Sequence, residues 1–169
     1  MYKIFVPVDF SEKSEFPREK ELYQHVLAPR IEEIKDKPIK NSDQKLIRYV
    51  DAIAEACIQE MERDEKVFVF GLDVDDHKKI QGSTAGIEKF GADRFFGTPL
   101  SEDAMTGVAV GSAMYGLRPI HVHIRMDFIL LAMNQMVNIA AKLRYRFGDQ
   151  VSVPVVVRAI IGRSWGQGP

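Results

Sequence analysis

Apolar side chains recur at intervals of three and four residues over residues 43–61, and this spacing predicts an amphipathic helix. The apolar positions are Leu46, Ile47, Val50, Ile53, Ala54, Cys57, Ile58 and Met61. Residues 66–71 follow as a short continuous apolar run that ends in glycine, which is typical of a strand covered on both faces. A helix followed by such a strand predicts the start of a parallel sheet.

The same alternation of apolar runs and helical spacing continues towards the end of the chain. It predicts strands over residues 94–98, 120–124 and 153–161, helices over residues 103–115 and 128–147, and a loop over residues 74–86 that feeds a short helix ending near Gly91. Strands separated by helices of this length need right-handed crossovers. The predicted fold class is α/β, with a parallel sheet flanked by helices on both faces in three layers.

Two details refine this picture near the C-terminal end. The helix over residues 128–147 carries a broad apolar stripe, formed by Leu131, Met136, Val137, Ala140 and Leu143. Pro154 removes one backbone donor from the last strand, which indicates an edge position or the first residues of that strand.

The first forty residues do not follow this rhythm. Their pattern predicts a strand over residues 2–8, a charged helix over residues 18–35 that Pro29 breaks, and a linker over residues 34–41. We therefore expect residues 1–41 to be an N-terminal extension and residues 42–169 to be the folded domain.

Composition excludes several classes of function. A chain of 169 residues with 46% hydrophobic residues suits one globular domain, and 23 basic against 24 acidic residues create no field for nucleic acid. Charged residues and glycine interrupt every apolar stretch before it could span a membrane, and no basic leader precedes an apolar core, so we expect a cytoplasmic protein. Cys57 cannot form an internal disulfide and is expected to be a small core residue.

One carboxylate stands at the junction of a predicted strand and a predicted helix. Glu102 follows residues 94–98 and leads into a run rich in small residues. Ligands of open α/β sheets bind at this carboxyl edge of the strands, so Glu102 is a candidate functional residue. The alternative is that Glu102 only lies in the first turn of a helix capped by Ser101, where its negative charge interacts favourably with the helix dipole.

Three stretches of sequence together carry a family resemblance. They are residues 60–74, residues 98–102 (Thr-Pro-Leu-Ser-Glu) with the glycine-bounded residues 107–111, and residues 115–120 (Tyr-Gly-Leu-Arg-Pro-Ile). This combination resembles the beta subunit of thiamine diphosphate-dependent 2-oxo acid dehydrogenases and, more broadly, the pyrimidine-binding domain of transketolase. The resemblance extends from about residue 43 to the C-terminus.

The resemblance implies roles for three residues. Glu102 would be catalytic, because in this family the matching glutamate hydrogen-bonds a ring nitrogen of the cofactor's aminopyrimidine. Leu100 would line the pyrimidine pocket, and Phe128 would stack on the ring. A core aromatic residue at the start of a helix is the alternative for Phe128.

The resemblance also implies partners. An alpha subunit would hold magnesium and the diphosphate, so the isolated chain would be inactive and the assembly would be a homodimer or an alpha2-beta2 heterotetramer. The implied reaction is oxidative decarboxylation of a 2-oxo acid, with transfer of the acyl group to a lipoyl acyltransferase.

Several small residues lie in the helix predicted over residues 103–115 and just after it. They fit either a subunit interface or tight internal packing; they are Gly107, Ala109, Gly111, Ala113 and Gly116.

The chain departs from the family pattern at two places. Leu72 stands where the family has an acidic residue that organises the proton and water network around the cofactor. The family's histidine beyond the glycine-rich residues 162–169 is not reached, so we expect an isolated domain or a truncated chain. A split transketolase-like enzyme acting on sugar phosphates and a non-catalytic pairing module therefore remain open.

Three further patterns are weak. His121 and His123 share one face of a predicted strand, but without a third ligand ordinary strand histidines are the better interpretation than a metal pair. The acidic turn at residues 73–77 lacks the spacing of a calcium loop. The glycines of residues 162–168 lack the Lys-Ser or Lys-Thr pair of a phosphate loop.

Overall fold

A sheet of four parallel strands forms the centre of the computed structural model, which describes residues 2–29, 45–76 and 82–161. In chain order the strands are β1 (Val67–Leu72), β2 (Phe95–Thr98), β3 (Arg118–His123) and β4 (Val156–Ala159). Their order across the sheet is β2-β1-β3-β4, and each neighbouring pair is parallel. The predicted parallel sheet is confirmed.

Helices precede and connect these strands. The α-helices are α1 (Tyr2–Lys13), α2 (Tyr49–Arg63), α3 (Glu102–Met114) and α4 (Ala141–Arg146). Narrower 3₁₀ turns cover Glu19–Tyr23, Ile87–Phe90 and Met126–Ala132, and a π-helix covers Asn134–Ala140. The short helix expected to end near Gly91 is the one over Ile87–Phe90, so that prediction is confirmed.

Helix α2 covers one face of the sheet. Its residues Cys57 and Met61 pack against Val67 and Val69 of β1 in the main apolar cluster. The other buried members of this cluster are Val74, Ile87, Phe95, Ile120 and Val122. Cys57 is thus a buried core residue, as its place on the apolar face of the helix predicts.

Helix α3 covers the opposite face. Successive residues of a strand point to opposite sides of the sheet, so Phe70 of β1 faces away from α2 and contacts Phe68 and Phe96, with ring centroids 5.2 and 5.5 Å apart. Ala109 and Ala113 of α3 are buried. Helices on both faces confirm the three-layer α/β architecture.

The small residues in α3 and just after it lie in two kinds of environment, the protein interior and open space. Ala109 and Ala113 face the protein interior, which is the tight internal packing considered for them. A Cβ atom added at Gly111 or Gly116 would meet nothing within 4 Å, so these glycines face open space. Gly107 lies between these cases, because its added Cβ would approach the side chain of Gln135 at 3.5 Å.

The first helix of the domain begins later than its apolar pattern predicts. Helix α2 starts at Tyr49, and Arg48 before it has an extended backbone and pairs with Asp51 through its guanidinium. Leu46 and Ile47 lie outside the helix and are exposed. The predicted start at residue 43 lies outside the described residues.

The helix predicted over residues 128–147 is present, but it is not one regular α-helix. The segment passes from the 3₁₀ turns of Met126–Ala132 through the π-helix of Asn134–Ala140 into α4. These forms differ in residues per turn, so positions that would share one face of an α-helix are turned apart. Leu143 is buried as predicted, whereas Leu131 and Val137 of the predicted stripe are exposed.

The prediction of a strand over residues 2–8 is also wrong, because this segment belongs to α1. A helix satisfies its backbone hydrogen bonds locally, whereas a strand needs a neighbour. The charged helix predicted over residues 18–35 is reduced to Glu19–Tyr23, and its part beyond residue 29 and the linker over residues 34–41 lie outside the described residues.

The last strand is shorter than predicted but occupies the predicted place. Strand β4 lies at one edge of the sheet, next to β3 alone. Pro154 precedes the strand by two residues, so its missing N–H costs no ladder bond there.

Arg94 ties the start of β2 to the connection between α2 and β1. Its Nε donates to the carbonyl oxygen of Val67 at 3.0 Å, and its Nη2 donates to those of Met61 at 2.7 Å and Asp64 at 2.9 Å. Such bonds from a charged group stabilise more than neutral ones. They fasten β2 beside β1, which sets one wall of the site described below.

We expect the substitution Arg94→Met to lower the free energy of unfolding by about 2–3 kcal/mol, because the aliphatic stem remains while the charge-assisted bonds are lost. Urea unfolding of the full chain measures this. Arg118→Met is the matched control, since Arg118 is exposed and, among the described residues, its guanidinium donates to the neighbouring carbonyls of Gly116 and Leu117. Equal losses in the two variants would contradict the anchoring role of Arg94.

Within the described ranges, no helix combines the length and apolar character needed to cross a membrane.

Candidate functional site at the carboxyl ends of the strands

A cavity opens where β1, β2 and β3 end. Its lining residues come from the last residue of β1, the segment joining β2 to α3, the first turns of α3, and the end of β3. They are Leu72, Thr98, Pro99, Leu100, Ser101, Glu102, Met105, His121, Val122, His123 and Ile124. The carboxyl edge of a parallel sheet is where ligands of this fold class bind.

Glu102 is the carboxylate of this cavity. It is the first residue of α3 and is half-buried, and its carboxylate has no hydrogen bond or ion pair with the described residues. Ser101 precedes it as the N-cap position, yet the Ser101 hydroxyl forms no capping bond. The alternative interpretation of Glu102 is thus correct in one part: Glu102 lies in the first turn of a helix. Its other part is wrong, because the Ser101 side chain does not cap that helix.

Two histidines form the wall opposite α3. His121 and His123 lie on the same face of β3, as predicted, with ring centroids 4.4 Å apart in an edge-on contact. His121 also stacks on Phe70 at 4.6 Å. Both histidines are buried, and within the described part of the chain no hydrogen bond of good geometry reaches either ring nitrogen of His121.

Thr106 connects one histidine to the first turn of α3. Its hydroxyl oxygen lies 2.7 Å from the carbonyl oxygen of Glu102 and 3.0 Å from Nε2 of His123. Thr106 is fully buried between the helix and the sheet. A short chain of hydrogen bonds thus runs from β3 to the backbone of Glu102.

Burial keeps both imidazoles in their neutral form. It lowers the pKa of His121 to about 4, with a smaller contribution in the same direction from His123. It also lowers the pKa of His123, against the opposing effect of the Glu102 carboxylate. At neutral pH the wall therefore adds hydrogen-bonding groups to the cavity without placing a positive charge beside Glu102.

A comparison with protein families decides what kind of domain this is. The model described as "Transketolase, pyrimidine binding domain" matches residues 45–168. The chain belongs to this family. Its parallel sheet is that of a pyrimidine-binding domain, and the resemblance drawn from the sequence is confirmed.

Curated relatives of this pyrimidine-binding domain are beta subunits. It is 48% identical over 118 residues to the 2-oxoisovalerate dehydrogenase subunit beta of Bacillus subtilis, covering 69% of this chain and 36% of that protein. It is 41% identical over 119 residues to the pyruvate dehydrogenase E1 component subunit beta of Staurastrum punctulatum, with the same coverage. The mitochondrial pyruvate dehydrogenase E1 beta subunit of Pisum sativum is 37% identical over 128 residues, which covers 75% of this chain and 36% of that protein. The chain thus spans about a third of the length of these relatives.

The cavity of the pyrimidine-binding domain brings together some of the predicted site residues. Leu100 and Glu102 both line it, and Leu100 is 70% exposed. Phe128 is half-buried in the 3₁₀ turns that follow β3 and is not among the lining residues. The stacking role of Phe128 therefore stays a prediction.

Leu72 changes the chemistry of the cavity wall. It ends β1 beside Thr98 of β2, and its half-buried side chain lines the cavity. Apolar surface thus replaces the acidic group that the resemblance implies there. Together with Leu100 and Met105, it makes a wall that suits a flat, mostly apolar ring, with the Glu102 carboxylate as a hydrogen-bonding group.

Metal ligands are not assembled in the described residues. No group of three His, Cys, Asp or Glu side chains there could hold a metal ion. The acidic turn after β1 contributes Asp75, whose carboxylate lies against Gly97 of β2, while His77 lies outside the described residues.

Sequence reasoning identified Glu102 and Leu100 but not the buried wall around them. The sequence favours ordinary strand histidines at positions 121 and 123 and gives no reason to single out Thr106. The signal that could have placed the two histidines at the site is their alternation on a strand that ends at the carboxyl edge of the sheet. The contact of His123 with Thr106 had no signal, because 17 residues separate them.

Proposed function

We propose that this chain provides the pyrimidine-binding half of a thiamine diphosphate site in the beta-like subunit of a 2-oxo acid dehydrogenase, an oxidoreductase that also needs an alpha subunit. Residues 42–169 would be the domain and residues 1–41 an extension. The observation that carries the proposal is the half-buried Glu102 carboxylate at the carboxyl edge of the sheet, in a cavity with one apolar wall. The names of the relatives support the reaction class.

Thiamine diphosphate, when bound, supplies the electron sink that decarboxylation of a 2-oxo acid requires. Glu102 would hold a proton between its carboxylate and a ring nitrogen of the aminopyrimidine. A carboxyl group suits this role because it can share a proton with a heterocyclic nitrogen in a site of low polarity. Leu72, Leu100 and Met105 would exclude water around that hydrogen bond, and Phe128 would stack on the ring.

The rest of the site would come from other polypeptides. We propose that an alpha subunit holds magnesium and the diphosphate. This chain would pair with a second copy of itself as a homodimer or join the alpha subunit in an alpha2-beta2 heterotetramer. A lipoyl acyltransferase would accept the acyl group.

A non-catalytic pairing module is the second candidate, and Leu72 favours it, because an apolar side chain can neither exchange a proton nor order water. Such a module would keep the fold and the contact with the alpha subunit but would not bind the cofactor.

Calorimetric titration with thiamine diphosphate and magnesium separates these candidates. We expect binding to the chain assembled with its alpha subunit and no measurable binding to either chain alone, because each would hold half of the ligand. An assembly that forms but does not bind would overturn the first proposal in favour of the pairing module. Product analysis with 2-oxo acids and with ketose phosphates then distinguishes a dehydrogenase from a transketolase-like enzyme.

A further inference from the structure

We propose that His123 is a positioning residue, which acts through Thr106 to hold the first turn of α3 and thereby the Glu102 carboxylate at the cavity. The importance of that position rests on the function proposed above. The hydrogen-bonded chain itself is a feature of the fold and can be tested separately.

The hydrogen-bond geometry assigns the proton on the imidazole. The Thr106 hydroxyl has one hydrogen, and the carbonyl oxygen of Glu102, 2.7 Å away, can only accept. The hydroxyl therefore donates to Glu102, and its oxygen accepts from His123 Nε2 at 3.0 Å. A neutral His123 in this chain carries its proton on Nε2.

The chain of bonds is held firmly at the sheet. Thr106 and His123 are 0% and 3% exposed, so water cannot replace either partner without rearrangement. The His123 ring meets the edge of His121, which in turn stacks on Phe70. An imidazole packed in this way has little freedom to rotate.

Glu102 has no equivalent restraint on its N-terminal side. The Ser101 hydroxyl does not cap the helix, and the Glu102 carboxylate forms no hydrogen bond or ion pair among the described residues. Thr106 is thus the side chain that fastens the backbone of this first turn to the sheet. Threonine hydroxyls in helices commonly bond only to a carbonyl of their own helix. Such a bond alone would not link the helix to His123.

Nitrogen-15 NMR of the histidine rings in the full chain tests the bond directly. We expect His123 to be the Nε2–H tautomer in the wild type and in Thr106→Ser, and to lose that preference in Thr106→Val. Ser112→Ala is the matched control, because the Ser112 hydroxyl bonds back to the Ala109 carbonyl on the same helix. It should leave the His123 signals unchanged.

Cofactor affinity of the assembled protein tests the positioning role. We expect Thr106→Val to weaken thiamine diphosphate binding by about ten-fold, the effect of a misplaced charged hydrogen bond. Thr106→Ser and Ser112→Ala should stay within about two-fold, since neither removes the bridge. If Thr106→Val melts too low for assembly, His123→Gln, which keeps a donor near Nε2, should bind better than His123→Leu.

The outcomes separate this inference from the proposed function. An Nδ1–H tautomer in the wild type, or equal binding by Thr106→Val and Ser112→Ala, overturns the positioning role while leaving the cofactor site in place. A wild-type assembly that does not bind thiamine diphosphate overturns the proposed function, and the NMR result then decides the hydrogen-bonded chain alone.

Discussion

Replacing Glu102 with glutamine is expected to abolish the proposed turnover of a 2-oxo acid in an assembly with an alpha subunit. Glutamine has nearly the same shape but cannot share a proton with a ring nitrogen, so the proton-holding role is removed while the cavity is retained. Loss of a general acid–base group costs about 10²–10⁴-fold in rate, which places the variant near the detection limit of ordinary assays. Steady-state turnover of a 2-oxo acid measures the effect.

The matched control for this variant is Asp103→Asn. Asp103 is the other acid in the first turn of α3, it is exposed, and it does not line the cavity. Removing its charge weakens the interaction with the helix dipole by about 0.3–1 kcal/mol, as in Glu102→Gln, so a role confined to helix stability would affect both variants alike. If Glu102→Gln assembles normally and turns over substrate at the wild-type rate, the proposed role of Glu102 is wrong.

Replacing Gly71 with alanine is expected to destabilise the chain by about 3 kcal/mol or more, since overpacking at a fixed backbone forces strands to move. A Cβ at this position would collide with the backbone carbonyl oxygen of Val122 on β3. Gly71 pairs with Val122 in the middle of the sheet, where neither strand can move without disturbing its other neighbour. Chemical denaturation of the full chain measures the loss.

Gly111→Ala provides the opposite control. Gly111 lies inside α3, and a Cβ there would meet nothing within 4 Å. We expect this variant to be more stable by about 0.5–1 kcal/mol, the usual advantage of alanine over glycine within a helix. Similar destabilisation by both variants would show that the contact with Val122 is not the reason for glycine at position 71.

The consequences of Gly71 reach the site as well as the sheet. The next residue is Leu72, whose side chain lines the cavity, and the facing strand ends in His123. Separation of β1 from β3 would move both walls. We therefore expect the variant, wherever it remains folded, to bind the cofactor less tightly in the assembled protein.

Local patterns predicted the elements whose environment they describe. The 3,4 spacing of α2 and the continuous apolar run of β1 reflect burial that the structure confirms. The pattern of residues 126–146 predicted a helix there but did not reveal its change from 3₁₀ to π to α turns. The strand predicted over residues 2–8 is wrong because the pattern of this segment fits a strand or a helix equally well. Only the presence or absence of a neighbouring strand decides between them.

The candidate site divides in the same way. Glu102 and Leu100 were found from contiguous residues at a strand-to-helix junction, and the structure places both at one cavity. The histidine wall was visible as an alternating pair on β3 but had no assigned role. The bond from His123 to Thr106 depends on which face of α3 meets which face of the sheet.

The sequence by itself determined the parallel α/β class, the family of the domain and the carboxylate at its strand-to-helix junction, because these follow from periodicity and contiguous motifs. Only the tertiary structure decided that His121, His123 and Leu72 line one cavity with that carboxylate and that Thr106 ties its helix to β3. The reason is that such contacts join segments far apart in the chain, and their geometry is set by strand order and register, which short-range pattern does not encode.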